Sequence, residues 1–181
     1  MENRIRIPAV QDGETFEIAG IEFIKFPATA EGVPVVAREL QKAMTFGDNN
    51  DMRESKVLRW LREEFLPKIV AAIGEENLVS FKTDLTTLDG LDNYGVMESK
   101  ISLPTMDFYR ANAKIFAKHP VKDWWWLATP ESCQPNSNPY WILCVAPSGC
   151  FNYGGCDYCS FGVRPFLIFK SSIFVSLESG Q

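Results

Sequence analysis

The sequence predicts one α+β domain that combines mixed or antiparallel sheets with two or three helices. Residues 14–26 alternate apolar and polar side chains around Ala19-Gly20, which is typical of a β-hairpin with one buried face. From Ser55 onward apolar residues recur at three-and-four spacing, which indicates an amphipathic helix. After Asp123 the chain becomes rich in aromatic and small residues, and short strands joined by turns are expected there.

The early strands follow from short apolar runs. Residues 34–46 fit either a short helix or a strand that leads into a helix, and residues 78–83 and 100–104 are expected to be strands. Residues 84–98 are polar and contain glycine, so they predict a loop.

Two helices are expected to pack against these strands. The first begins near Ser55 and should end or kink at Pro67, because proline lacks the N–H that a helix needs. Gly74 is a natural stop for its second part. A second helix is expected to begin at Pro104 or Thr105 and to end before His119-Pro120.

The C-terminal third predicts a series of strands. Residues 124–127, 140–145, 163–169 and 171–177 are expected to be strands, with a loop over 131–139 and a turn at Pro147-Ser148-Gly149.

Charge and hydropathy narrow the classes of protein that fit. The net charge of −5 argues against a generic nucleic-acid binder, because phosphate binding needs a basic face. No apolar run approaches the roughly 20 residues that span a bilayer. The first residues lack an apolar stretch of the signal-peptide type, so synthesis in the cytoplasm without a signal peptide is expected.

Four segments in the C-terminal third share the pattern of one known family. They are W-W-L-A-T-P at 125–130, the glycine at 149, G-V-R-P at 162–165 and S-S-I-F-V-S at 171–176. They resemble a domain of unknown function that is common in phages and gut bacteria, in which W-W-L-R-S-P, a variable stretch, G-V-R-P and a final S-S strand follow in that order. Residues 55–61 and 100–104 match the same pattern, so the resemblance covers most of the chain. Ala128 departs from it, because the family commonly has arginine there.

Members of that family occur as variable proteins of diversity-generating retroelements. Those proteins have a C-type lectin fold related to that of the formylglycine-generating enzyme, and mutagenesis of AAY-type codons randomises a ligand-binding surface near their C-terminus. The resemblance therefore implies a single C-type lectin-like domain over residues 1–181. Residues 1–122 would form the scaffold, residues 123–181 the lectin-like part, and residues 137–160 the approximate variable region.

The resemblance also implies a function. It predicts a non-enzymatic binding protein that needs no cofactor, has no membrane span and recognises a protein or glycan ligand on a bacterial surface. A phage virion or a cell surface would be its place of action, and the oligomeric state stays open. The alternatives are a metal-dependent or formylglycine-generating-type enzyme module and a structural component of a phage particle.

Composition gives a separate test of the codon rule. Randomised AAY codons become NNY codons, which cannot encode Trp, Met, Lys, Gln or Glu. Residues 142–163 contain none of these five types, although the types make up roughly a fifth of the chain. Tyr, Ser, Gly and Asn are also the residues that antibody loops use for contact. The predicted ligand-binding residues are Asn138, Tyr140, Ile142, Leu143, Cys144, Cys150, Phe151, Asn152, Tyr153, Gly155, Cys156, Asp157, Tyr158, Cys159 and Ser160.

Five further residues are predicted to be fixed scaffold. Trp141 cannot arise from an NNY codon, and Trp125 and Trp126 are expected in the core or at its edge. Gly149 and Arg164 belong to the family motifs. Arg164 interrupts an apolar strand, so if buried it should pair with a carboxylate or with backbone carbonyls.

The five cysteines all lie between Cys133 and Cys159 and allow three interpretations. Four of them could supply thiolates to zinc, but a single C-x-x-C with irregular partners is a weak signal. A redox role lacks a basic neighbour that would lower a thiol pKa. The interpretation we favour is that they are outcomes of codon randomisation, so no metal is expected.

Two other features have the residue types of a site. Gln134-Pro135-Asn136 is similar to the sugar-selecting tripeptide of calcium-dependent lectins, but the W-N-D partner motif is missing and few carboxylates are near. His119 is the only histidine and precedes a proline in an expected loop, so a structural role is favoured over a general base. No catalytic residue is predicted.

Overall fold

Two large β-sheets, one small sheet and two helical regions make up residues 4–176, the part of the chain that the computed structural model describes. This confirms the predicted α+β class. The thirteen strands of this part are β1 Arg4–Arg6, β2 Thr15–Ile18, β3 Ile21–Lys25, β4 Val33–Ala37, β5 Lys42–Ala43, β6 Phe81–Asp84, β7 Val96–Ser99, β8 Trp125–Pro130, β9 Trp141–Val145, β10 Phe151–Gly155, β11 Gly162–Val163, β12 Phe166–Phe169 and β13 Phe174–Ser176.

The first sheet has the order β1-β13-β2-β3-β4-β12, with antiparallel pairing throughout. Its centre is the predicted hairpin, in which β2 and β3 join through Ala19 and Gly20 at φ 56° and 74°. Two consecutive positive φ values belong to the turn that matches the natural twist of a hairpin. The pairing of β1 with β13 brings the first and last described strands together.

The second sheet has the order β10-β9-β8-β11-β5 and carries the predicted variable region. All neighbouring strands of this sheet pair antiparallel except β11 and β8, which run parallel, so the sheet is mixed. β10 lies at one edge, and β8 is the central strand. The remaining pair, β6 and β7, forms a separate antiparallel hairpin.

The first helical region runs from α1 (Lys56–Trp60) through a π-helical turn (Leu61–Phe65) into α2 (Leu66–Ile73). The hydroxyl of Ser55 accepts a hydrogen bond from the N–H of Leu58 at 2.9 Å and so caps the start. Pro67 does not end the helix. It lies in the first turn of α2, directly after the π-helical turn, where the missing N–H is tolerated. Gly74 ends the helix at φ 83°.

The second helical region consists of α3 (Met106–Ala111) and α4 (Ala113–Phe116). The hydroxyl of Thr105 accepts a hydrogen bond from the N–H of Phe108 at 3.2 Å, which confirms the predicted start. No helix in the described part of the chain is long and apolar enough to cross a membrane.

Three predictions about local structure were wrong in whole or in part. The segment 34–46 begins with the strand of the second alternative, but no helix follows, because Val33–Ala37 is buried between β3 and β12 and β5 comes next. The predicted loop 84–98 ends in β7, which pairs with β6. Residues 100–104 form no regular strand and make only an isolated bridge between Ser102 and Phe166. The last predicted strand reached residue 177, which lies outside the described residues.

Candidate ligand-binding surface

The central strand β8 buries aromatic rings on both of its faces. Trp125 and Trp126 are adjacent, so their side chains point to opposite sides and enter two different core clusters. The indole N–H of Trp126 donates to the carbonyl oxygen of Met44 at 2.9 Å, and its ring packs against Phe46 at 5.7 Å. Both residues are buried, as predicted for scaffold.

The neighbouring strand β9 is buried almost to its end. Ile142, Leu143 and Cys144 have exposed fractions of 0, 2 and 0% and belong to the two core clusters. A side chain at this depth cannot contact a ligand unless the sheet opens. The prediction that these three residues contact ligand is therefore corrected, because β9 lies between β8 and β10 and has cores on both faces.

The edge strand β10 exposes three consecutive side chains. Phe151 and Tyr153 are 41% and 52% exposed, and Asn152 between them is exposed as well. Phe151 is opposite Val145 and Tyr153 opposite Leu143, so both rings project from the same face. Beyond β9 the core on that face no longer covers them, and they reach solvent.

The end of β10 turns back into the protein. Gly154, Gly155 and Cys156 are buried. A Cβ at Gly154 would lie 2.7 Å from the Phe161 ring, and one at Gly155 would overlap the Tyr140 ring. Cys156 is 1% exposed and belongs to the core. Gly155 and Cys156 are thus corrected from predicted contacts to packing positions.

The exposed residues resume after Cys156. Asp157, Tyr158, Cys159 and Ser160 are all exposed, and the Tyr158 ring packs edge-on against Phe161 at 5.6 Å. Residues 151–153 and 157–160 are two exposed segments on either side of the buried residues 154–156, and we call them together the β10 ridge. Cys150 and Asn138 are exposed beside it.

Trp141 packs against one ring of the β10 ridge, that of Tyr153. It is half-buried and packs edge-to-face between Tyr140 at 4.8 Å and Tyr153 at 5.5 Å. Tyr140 donates its hydroxyl hydrogen to Asp157 at 2.7 Å, and this hydrogen bond raises the pKa of Tyr140 to about 12. The ridge is thus held by ring contacts and one charge-assisted hydrogen bond.

The turn before β10 is hydrogen-bonded to the second helical region. Gly149 has φ 85°, a conformation that favours glycine, and its carbonyl accepts the Tyr109 hydroxyl at 2.9 Å. The Tyr109 ring lies 5.3 Å from that of Phe151. Gly149 therefore has the scaffold position that the motif predicts.

The loop 131–140 beside the ridge is anchored by a buried asparagine that lies in a polar segment far away in the sequence. Asn50 is fully buried, and its side-chain N–H groups donate to the carbonyls of Ser132 and Trp141, each at 2.8 Å. Its side-chain oxygen accepts the hydroxyl of Tyr94 at 2.7 Å. Asn50 thus closes the base of the loop and satisfies its own buried amide.

Asp89 holds the outer part of the same loop. Its carboxylate accepts hydrogen bonds from Asn136 at 2.9 Å, from Ser132 at 2.7 Å and from Thr87. These bonds, led by that from Asn136, lower the pKa of Asp89 to about 2. The sequence predicts only a polar loop over 84–98, since nothing local shows that residues 43 and 47 positions away would bind Asp89.

The cysteines do not come together as a metal centre. Within residues 4–176 no group of three or more His, Cys, Asp and Glu side chains is placed to hold an ion. Cys133, Cys144 and Cys156 are buried, whereas Cys150 and Cys159 are exposed. Burial raises the pKa of Cys144 to about 12 and also raises those of Cys133 and Cys156, so these thiols stay protonated at neutral pH.

His119 has a structural contact. Its Nε2 lies 2.7 Å from the carbonyl oxygen of Gly13, and this contact joins the segment after α4 to the segment before β2.

Comparisons of the chain with protein-family models, with curated proteins and with solved structures find no match.

Proposed function

We propose that the chain is a non-enzymatic binding protein with a C-type lectin-like fold, and that the β10 ridge is its diversified contact surface. The ligand would be a protein or a glycan on a bacterial surface. The observation that carries this proposal is the coincidence of two independent properties. The segment that lacks every residue type an NNY codon cannot encode is also the one that carries Phe151, Tyr153 and Tyr158, exposed by 41, 52 and 46%.

The chemistry of the ridge supports binding. Tyr and Phe side chains offer large contact areas at low entropic cost, and Asn, Ser and Asp offer adaptable hydrogen bonds. Exposed apolar side chains that are grouped together mark interaction sites more often than scattered ones do. Three contacts hold the surroundings of the ridge in place. The Trp141 ring packs against Tyr153 in β10, the Tyr109 hydroxyl donates to the turn at Gly149, and the Asn50 amide donates to the base of the loop. A rigid base under changeable side chains is what a diversified surface requires.

The outer edge of β10 has one of its backbone N–H groups already bonded, so pairing with a further strand is hindered there. The Asn152 side chain accepts a hydrogen bond from the N–H of Tyr153 at 2.8 Å, a group that by the antiparallel pattern faces away from β9. Edge strands that leave their N–H groups free invite aggregation. This capping supports recognition through side chains rather than through strand addition.

The proposal is tested by comparing two codon libraries of matched chemistry. One randomises 151–153 and 157–159 to NNY, and the other randomises 142–145 in the same way. We expect most members of the first library to stay folded, as measured by protease resistance on a display platform, because these side chains lie outside the core. We expect few members of the second to fold, because each change there creates a cavity or an overlap.

The folded members of the first library would then be selected on intact bacterial cells. Binders that differ from one another only on the ridge would support the proposal. Equal loss of folding in both libraries would contradict it. The neighbouring DNA provides a further test: a template repeat that differs from this gene mainly at adenines, beside a reverse transcriptase, is expected.

The enzymatic alternative gains no support from the described residues. Burial keeps Cys133, Cys144 and Cys156 protonated at neutral pH, so only the exposed Cys150 and Cys159 are left as candidate thiolates for a formylglycine-generating-type reaction. Stoichiometric zinc, copper or calcium in the purified protein would count strongly against the binding proposal.

A further inference from the structure

Arg164 is a buried cation, with an exposed fraction of 1%. Its Nε donates to the carbonyl oxygen of Ala37 at 3.0 Å, and its Nη2 donates to that of Arg38 at 2.8 Å. The guanidinium carbon lies 4.9 Å from the centre of the Trp125 ring and 5.4 Å from that of Phe116. The predicted pairing with backbone carbonyls is thus observed, and two aromatic faces are added to it.

These contacts leave the positive charge without an anionic partner. Among the ion pairs of residues 4–176, none includes Arg164. Glu39 acts on the charge of Arg164 without forming an ion pair with it, and the carboxylate of Glu39 instead lies 3.7 Å from Nε of Arg38. A buried charge is costly unless it is paired, and carbonyl dipoles and rings supply only part of the compensation.

One nitrogen of the guanidinium is available to a small ligand. Within the described residues Nη1 makes no hydrogen bond, although the other two nitrogens each make one. Nη1 is not among the fully buried side-chain atoms that lack a partner, so solvent reaches it. Arg164 lines a small cavity of about 20 Å³. Tyr109, Phe116, His119, Trp125 and Gly149 are among the other residues that line it. This volume suits one water molecule or one ion of similar size and is too small for a sugar or a peptide group.

We propose that this cavity binds a single monovalent anion of the size of chloride beside Nη1 of Arg164. The ion would supply the negative charge that the guanidinium lacks. Tyr109 and His119 already use their polar atoms on the carbonyls of Gly149 and Gly13, so the guanidinium is the donor in this cavity that is left for an anion. The site lies under the turn that begins β10, so the ion would stabilise the scaffold of the β10 ridge.

Bromide locates such a site directly. Crystals of the unmodified protein soaked in sodium bromide should show an anomalous peak in the cavity at hydrogen-bond distance from Nη1. The same cavity in bromide-free crystals grown with chloride should hold density stronger than that of a water molecule. Bromide peaks only at the outer surface, with water-like density or none beside Arg164, would overturn the proposal.

Stability in different salts gives a second readout in solution. For an ion bound with a dissociation constant of roughly 10 mM, 100 mM chloride raises the folding equilibrium constant about tenfold over gluconate at equal ionic strength. The variant Arg164→Met should lose this difference. The matched control Arg110→Gln removes an exposed arginine that pairs only with Asp107, and it should keep the difference. If the unmodified protein is equally stable in the two salts, the proposal fails whether or not Arg164→Met folds.

Discussion

β8 and β10 belong to the same sheet, only one strand apart, and they use aromatic residues for opposite purposes. In β8 all six side chains from Trp125 to Pro130 are buried, and rings pack on both faces. In β10 the first three residues are exposed, and Phe151 and Tyr153 reach solvent from one face. Position in the sheet, rather than residue type, decides which aromatic side chain stabilises the fold and which is available for contact.

The largest expected effect tests this comparison with one aromatic residue from each strand. Trp126→Ala should lower the free energy of unfolding by about 3–5 kcal/mol, because it leaves a large cavity and deprives the Met44 carbonyl of its donor. Tyr153→Ala should change it by less than about 1 kcal/mol, because the ring is half in solvent and touches mainly Trp141. Urea unfolding followed by fluorescence measures both. Similar losses would mean that β10 is part of the core.

The second effect concerns the buried amide that supports the loop beside β10. Asn50→Ala removes three hydrogen bonds and leaves the Ser132 carbonyl and the Tyr94 hydroxyl without their partner, so a loss of about 3 kcal/mol is expected. The Trp141 carbonyl keeps its bond from the N–H of Glu131. Hydrogen exchange should also accelerate in residues 131–141 before the rest of the second sheet. The same substitution at Asn93, which is exposed, serves as the control. Uniform acceleration across the protein would show that Asn50 acts on global stability alone.

The smallest effect is a pH dependence of the same loop. The folded-state pKa of Asp89 is lowered from 3.8 to about 2, so its stabilising bonds are fully present above pH 4 to 5 and are lost as the pH falls toward 2. Amide signals of residues 131–139 should therefore shift in an NMR titration between these limits. In Asp89→Asn the shift should disappear. An unchanged titration in that variant would assign the effect to another carboxyl group.

The regular elements were largely predictable because their signals are local. The alternation around Ala19-Gly20 gave the hairpin, and Ser55 and Thr105 marked the helix starts where their hydroxyls cap the first turn. The errors occurred where partners distant in sequence decided the outcome. β4 is a strand because β3 and β12 flank it, and β7 forms because β6 is its partner.

The candidate site was predictable only in outline. Composition identified residues 142–163, and the special status of Trp141 followed from the codon rule. The alternation of a strand could separate one face from the other but could not show that β9 is covered on both. The supports Asn50 and Asp89 had no local signal, since each acts on residues at least 43 positions away.

The sequence by itself determined the α+β class, the hairpin, the helix caps and the biased segment near the C-terminus, because each depends on neighbours within a few positions. Only the tertiary structure decided which residues of that segment are core and which are surface. Ile142, Cys144, Phe151 and Tyr153 are all residue types that an NNY codon can encode, yet burial separates them. Burial is a property of sheet order and of distant contacts, such as those of Trp126 with Met44 and of Arg164 with Ala37, 82 and 127 positions apart.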